Sequence, residues 1–173
     1  AVSVGETAAS APLVAELKRR YPDAQIVMTT MTPTGSDRAQ LLFSESVFHA
    51  YVPYDLPGSC NRFLDKYHPS LLILMETELW PNLVHSCHNR GVKVLVANGR
   101  LSERSAAGYG RFATFTGSLL EKIDRIAAQA APDAQRFIEL GAKSEQVVVT
   151  GSLKFLVEVN EKEKQAYFTA IKN

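Results

Sequence analysis

Three carboxylates stand where an α/β chain does chemistry. Glu6 follows the segment Ala1–Val4 and the turn residue Gly5, and Glu76 and Glu78 follow the apolar run Leu71–Met75. A carboxylate just past the carboxyl end of a buried strand projects into the crevice where parallel sheets bind ligands. It is costly to desolvate, so it needs a structural or chemical reason to be there. Two such carboxylates close together cannot both ionise freely. One pKa rises, which leaves a general base active near neutral pH and suited to deprotonating a hydroxyl nucleophile. Glu6 also fits a plainer description, an exposed acid in a first helical turn favoured by the helix dipole. Gly5-Glu6 matches neither G-x-G-x-x-G nor a P-loop, so neither nucleotide fingerprint is present.

Arg100, Arg104 and Arg111 cluster after the strand predicted over Lys93–Ala97. They read either as a solvated face or as phosphate contacts beside the crevice. Tyr109, Phe112, Phe115, Leu119 and Ile123 form an apolar stripe, fitted to core packing or to a membrane surface. His85, Cys87 and His88 share one helix, but a metal site needs more ligands, so a solvated face is the better description.

The elements that must position these groups follow from periodicity. Leu71–Met75 is too short for a core helix and fits a strand buried on both faces, in the middle of a parallel sheet. Further strands are predicted at 1–4, 25–30, 47–53, 93–97, 125–129 and 146–150. Helices are predicted between them: Thr7–Arg20, with Pro12 either a kink or part of its first turn, then Asp37–Phe43 capped by Ser36, 59–67, 81–89, 102–122 with a weak point at 108–110, and 132–140. Alternating strands and helices make an α/β, doubly wound, Rossmann-like parallel sheet of about seven strands. The commonest order, 3-2-1-4-5-6, would put the loops after Val4 and Met75 side by side. Adjacent strands are about 4.8 Å apart, so Glu6 and Glu76 would then be near neighbours.

Composition narrows the class. With 173 residues, 46% hydrophobic and 21% charged, the chain has enough apolar material for one domain with a real core. A net charge of +1 gives no reason to expect bulk nucleic-acid binding. Cys60 and Cys87 lack metal-type spacing and form no framework, which fits a reducing compartment. No apolar run reaches the roughly 20 residues of a membrane span. The opening AVSVGE reads as the end of a strand, so an anchor ahead of residue 1 is compatible with the sequence.

In order along the chain, AVSVGE, TTMTPTGSDR, VPYDLPG, METELWPN, NGRLSERS and VTGSLKF resemble the amino-terminal domain of the Kdo transferases of lipopolysaccharide assembly. The resemblance runs over about Ala1–Phe155. It implies the amino-terminal half of a two-domain GT-B transferase, with residues 1–155 as acceptor-binding domain and 156–173 as connector toward a donor-binding domain. It also implies inverting transfer of Kdo from CMP-Kdo to a lipid A precursor, without cofactor or active-site metal, at the cytoplasmic face of the inner membrane, and with no nucleic acid as partner. By motif position Glu6 matches the catalytic base and Glu76 its support. Ser3, Gly5, Thr32, Thr34, Gly35, Arg38, Arg100 and Arg104 fall to the acceptor and Lys154 to the donor side. Two positions depart from the family pattern: Leu156 where an acid is usual after LKF, and Gly99 where alanine is usual. The segment alone is expected to be inactive. A nucleotide-sugar-binding Rossmann-like domain without transferase role, favoured by nucleotide at the Gly5 turn, is a second reading. A membrane-surface interaction module, favoured by lost liposome binding without site chemistry, is a third.

Overall fold

The computed structural model describes residues 4–43, 46–153 and 169. They fall into two compact units, one carrying the chain up to Val52 and the other Pro53–Ser152.

The first unit contains α1 (Val4–Ala9), α2 (Ala11–Arg20), β1 (Val27–Thr30), α3 (Pro33–Phe43) and β2 (Phe48–Tyr51). β1 and β2 pair in parallel, with Val27 opposite Phe48 and Thr30 opposite Tyr51. Parallel neighbours need a crossover, and α3 supplies it. Val14, Met28, Ala39 and Phe43, from α2, β1 and α3, close a small core.

The single helix predicted over Thr7–Arg20 is two helices, interrupted at Ser10. Pro12 is the reason. It has no N–H for the helical ladder and is tolerated in a first turn, so the chain restarts as α2 with Pro12 there. The Ser10 hydroxyl takes up the Thr7 carbonyl at 2.7 Å. Farther along α2, Arg19 first and then Arg20 hydrogen-bond the Glu16 carboxylate and hold its pKa down at about 2.

Two further expectations are corrected here. Val4 is helical rather than the end of a strand, and Gly5-Glu6 form the first turn of α1 rather than a loop. Ala1–Ser3, the rest of the predicted stub, lie outside the described residues. α3 begins at Pro33, not Asp37, because Thr32 and not Ser36 caps it. Thr32 Oγ1 accepts from Gly35 N at 3.1 Å and its carbonyl from Ser36 N at 3.0 Å. Proline at the first helical position is preset for this start, which leaves Ser36 inside the helix and buried.

The second unit contains α4 (Pro57–Tyr67), β3 (Leu71–Met75), α5 (Pro81–Asn89), β4 (Lys93–Gly99), α6 (Glu103–Gly110), α7 (Ala113–Leu120), β5 (Arg125–Ala128), α8 (Ala131–Glu139) and β6 (Val147–Val149). Its sheet has the order β3-β4-β5-β6, all parallel. The described residues thus carry six strands in α/β alternation, against about seven expected.

Val84, Val94, Val96, Leu120, Ile126 and Phe137 are among the buried residues of one continuous core. Cys60 and Cys87 also lie in it, and burial pushes both thiols up to about 11. α5 ends in a Schellman motif at Gly91 (φ +70°), with Val92 N on Cys87 O and Gly91 N on His88 O. Gly141 (φ +109°) repeats it after α8 and has a second constraint, since a Cβ there would stand 2.8 Å from Gly117 Cα.

The predicted helix 102–122 divides at Arg111-Phe112 into α6 and α7. The apolar stripe divides with it. Leu119 and Ile123 enter the core and Tyr109 is half-buried, but Phe112 and Phe115 remain 70% and 60% exposed. No helix among the described residues is long and apolar enough to cross a membrane.

Candidate active site

The second unit builds its candidate site on the loop that leaves β3. Leu74 and Met75 are buried, and the next residue, Glu76, turns the chain with φ +56°. Its N–H donates to Ala97 O at 3.0 Å, so the turn begins while still bonded to β4. Asn98, on β4 just past the residue that pairs with Met75, also has φ +56° and is fully buried. It sits in a bulge. The register of β4 against β5 shifts between Val96 and Gly99, which places an extra residue on β4. Left-handed non-glycine residues cost on the order of 1–3 kcal/mol each and collect at functional sites. Here two stand at the carboxyl ends of adjacent strands.

Thr77 fastens this loop across the sheet. Its hydroxyl donates to Arg100 O at 2.8 Å, and its carbonyl accepts from Leu79 N at 2.8 Å and, at a longer 3.4 Å, from the Tyr109 hydroxyl on α6. Burial, and behind it the negative charge of Glu78, push the Tyr109 phenol above its ordinary value. Leu79 and Trp80 then pack against the core. Asp55 completes the anchorage. Its two carboxylate oxygens accept from Leu83 N (2.9 Å) and Asn82 N (3.1 Å), the first free N–H groups of α5, while Asn82 Nδ2 donates to Asp55 O at 2.7 Å.

The turn Asn98–Leu101 is held as firmly. Gln129 donates to Gly99 O (2.8 Å) from its N–H and to Asn98 O (3.0 Å) from its amide. Leu101 N donates to Asp133 Oδ1 at 2.9 Å, and Arg136 donates to Leu101 O at 3.1 Å and to Glu103 Oε1 at 3.1 Å. Gly99 fits a tight place, since a Cβ would meet Ala127 O at 3.2 Å and Phe137 Cε2 at 3.3 Å. The backbone of Arg100 is therefore held while its side chain is exposed, as are those of Arg104 and Arg111. His85 and His88 are exposed on α5 and Cys87 is buried. Among the described residues no three ligating side chains come together for a metal.

The first unit places the other predicted residues. Glu6 lies in the first turn of α1, as the plainer description had it, but it is only 8% exposed. Gly5 beside it is exposed. Thr32 and Thr34 are exposed at the start of α3, Arg38 is half-buried on it, and Gly35 is buried where a Cβ would meet Thr30 Cβ at 3.3 Å. Glu6 belongs to the first unit and Glu76 to the second. Ser3 and Lys154 lie outside the described residues.

Sequence reading passed over several residues that the structure brings forward. Besides Thr77, Asp55 and Asp133, these include His49, whose Nε2 lies 2.8 Å from Thr30 Oγ1 and whose Nδ1 lies 3.4 Å from Ser36 Oγ. Tyr109 enters the sequence reading only as part of the apolar stripe. Asp55 and Asp133 carried one usable signal, an acid within two residues of a proline in the first turn of a helix. His49 carried none.

Comparison with known proteins follows the same motifs. The family described as 3-deoxy-D-manno-octulosonic-acid transferase (kdotransferase) matches residues 1–157. A 3-deoxy-D-manno-octulosonic acid transferase of Haemophilus influenzae is 44% identical over 161 residues, covering 93% of this chain and 38% of that protein. One from Bordetella pertussis is 37% identical over 167 residues, with the same coverage of 93% and 38%. The chain thus spans well under half the length of these relatives. Among solved structures, a UDP-GlcNAc 2-epimerase from Neisseria meningitidis bound to UDP-GlcNAc superposes with a TM-score of 0.64 at 15% identity, covering 98% of this chain and 50% of that one. At that identity the likeness speaks for the fold alone.

Proposed function

The chain belongs to the 3-deoxy-D-manno-octulosonic-acid transferase (Kdo transferase) family, and on that premise we propose that it is the acceptor-side half of an inverting GT-B enzyme that moves Kdo from CMP-Kdo to a lipid A precursor. The observation that carries this reading is the braced loop after β3. There a glutamate in left-handed backbone, Glu76, shares a turn with Glu78, and Thr77 between them ties that turn to the backbone of Arg100. Such a site holds the backbone that carries two acids and that of an exposed arginine in one geometry, and the arginine suits the phosphates of a phosphorylated sugar acceptor. In the reaction the acceptor hydroxyl loses its proton to Glu6 and its oxygen bonds to the anomeric carbon of Kdo. The bond from that carbon to the CMP phosphate breaks, and CMP leaves with the electron pair. Glu76 supports the base. Thr32, Thr34, Gly35 and Arg38 at the start of α3, with Gly5, take the acceptor; by motif position Ser3 belongs with them and Lys154 falls to the donor side.

Arginine forks match phosphate oxygens bidentately, so at least one of Arg100 and Arg104 contacts an acceptor phosphate. Full-length enzyme should transfer Kdo from CMP-Kdo to the lipid A precursor, and Arg100→Ala or Arg104→Ala should raise the acceptor KM by about tenfold, as expected for losing one charge-assisted bond. Removing the acceptor's phosphates should then cost wild type more than it costs the variant that has lost the contacting arginine. A wild-type enzyme with no Kdo transfer, or one indifferent to those phosphates, would overturn this assignment.

A lipid acceptor has to be reached at a membrane, and we place the enzyme at the cytoplasmic face of the inner membrane. The exposed Phe112 and Phe115, with Arg104 and Arg111 nearby in sequence, support docking on anionic lipid. Phe115 also borders a surface groove shared with His85, Leu119 and Lys122. In liposome co-sedimentation Phe112→Glu/Phe115→Glu should bind anionic vesicles at least about tenfold more weakly than wild type, given the apolar area lost. Equal binding, with unchanged circular dichroism, would remove α6–α7 from the docking surface.

A further inference from the structure

We infer that Thr77, the residue between the two glutamates, is a positioning residue for the transfer reaction. Its hydroxyl holds the Glu76–Glu78 turn and the Arg100 turn in one geometry. This rests on the functional reading above, and it adds a residue whose own side chain has no acid, base or cation to contribute.

Three observations meet at this residue. Its side chain reaches across 23 positions of sequence to Arg100 O at 2.8 Å, a normal hydroxyl–carbonyl distance. Its carbonyl is the acceptor for the Tyr109 hydroxyl at 3.4 Å, and the Tyr109 backbone carbonyl is itself held by Thr116 Oγ1 of α7 at 2.9 Å. Finally, the residue before it is in left-handed backbone, a conformation that persists only where the surroundings over-determine it. Thr77 Oγ1 supplies that constraint from the far side of the turn. Relaxation of Glu76 toward an ordinary φ would carry the next residue with it and pull this hydrogen bond apart. The Arg100 carbonyl is thus held from the β3 side by Thr77, and the next residue, Leu101, is held by Asp133 and Arg136. A change on either side shifts acids and arginine together.

The test uses the full-length transferase, with Thr77→Val, which keeps the shape and removes the donor, and Thr77→Ser, which keeps the donor. Misplacement of a catalytic group by about 1 Å costs up to roughly 10²-fold in rate. Turnover per folded Thr77→Val enzyme should therefore fall about 10- to 100-fold with donor KM little changed. Thr77→Ser should recover most of it. A purely structural role would lower the melting temperature and the yield of folded enzyme, but not the turnover of what folds. Folded Thr77→Val with wild-type kcat overturns the inference, as does a Thr77→Ser enzyme as slow as Thr77→Val. If Thr77→Val does not fold, Tyr109→Phe carries the test. It removes the hydroxyl that α6 donates to the Thr77 carbonyl and should lower kcat about three- to tenfold, the worth of one hydrogen bond. An unchanged kcat there overturns the inference. Wild-type enzyme without Kdo transfer would instead overturn the functional reading beneath it.

Discussion

Glu6→Gln in the full-length transferase is expected to lower turnover by roughly 10²- to 10⁴-fold, the usual worth of a general base. Glutamine keeps the shape and the hydrogen-bonding reach of glutamate but cannot accept a proton at neutral pH, so acceptor KM should change little. The expectation stands on two independent features. By motif resemblance Glu6 falls at the family's acidic turn, and it is only 8% exposed in the first turn of α1. Steady-state transfer kinetics check it, with Glu78→Gln as the control. Glu78 lies beyond the end of β3, and the motif resemblance falls on Glu76 rather than Glu78, so that substitution should be the milder of the two. Near-normal turnover of Glu6→Gln would remove it from the mechanism and leave Glu76 as the candidate base.

The second large effect is on stability. Asp55→Ala is expected to cost about 2 kcal/mol, within the range for leaving buried or capping donors unsatisfied. Both carboxylate oxygens of Asp55 are committed, to Leu83 N at 2.9 Å and to Asn82 N at 3.1 Å. Their removal strands the first N–H groups of α5, and Pro81 ahead of them has none to share. The favourable interaction of a carboxylate with the helix amino terminus goes too. For a protein of this size about 2 kcal/mol corresponds to a fall of roughly 4–8 °C in melting temperature. Asp55→Asn retains one acceptor and should lose about half as much. Thermal unfolding by circular dichroism measures both, and a melting temperature for Asp55→Ala within a degree of wild type would mean that solvent replaces the cap. Because α5 begins right after the Glu-Thr-Glu turn, the alanine variant should also lower kcat in the full-length enzyme.

Local patterns in the chain were enough for much of the fold. Leu71–Met75 has no polar residue and does form a strand, but β3 is the edge of its four-stranded sheet rather than the middle, with Leu71 43% exposed and only Leu74 and Met75 buried, because the run's apolar character does not fix the strand's place in the sheet. Pro81, Pro132, Gly91 and Gly141 mark helix ends because proline lacks a donor and glycine alone enters left-handed backbone without penalty, and α5 and α8 start and stop beside them. The same rules misplaced the start of α3, where two capping residues compete. Thr32 prevails because Pro33 follows it, and Ser36 is drawn into the packed first turn. The motifs named the acids and arginines for the same reason, since charge at the carboxyl end of a buried strand is visible in one dimension.

What a linear reading could not supply was anything made by partners far apart in the chain. The left-handed φ of Asn98 goes with a bulge between β4 and β5, and that of Glu76 with a turn bonded to Ala97 O and, through Thr77, to Arg100 O; no residue type demands either. The stripe from Tyr109 to Ile123 has one periodicity, but burial does not follow it, even within α7, which carries both Phe115 and Leu119. Leu119 and Ile123 are buried and Phe112 and Phe115 are left in solvent. Asp55 and Asn82 are separated by 27 residues, Thr77 and Arg100 by 23, and Leu101 and Asp133 by 32. Each pair meets only because parallel strands with helical crossovers return successive loops to the same edge of the sheet. The sequence determined which residues could carry the chemistry, through side-chain type and strand-end position. Which of them are held rigid, and by which hydroxyl or carboxylate, was decided by hydrogen bonds that exist only once the crossovers have closed.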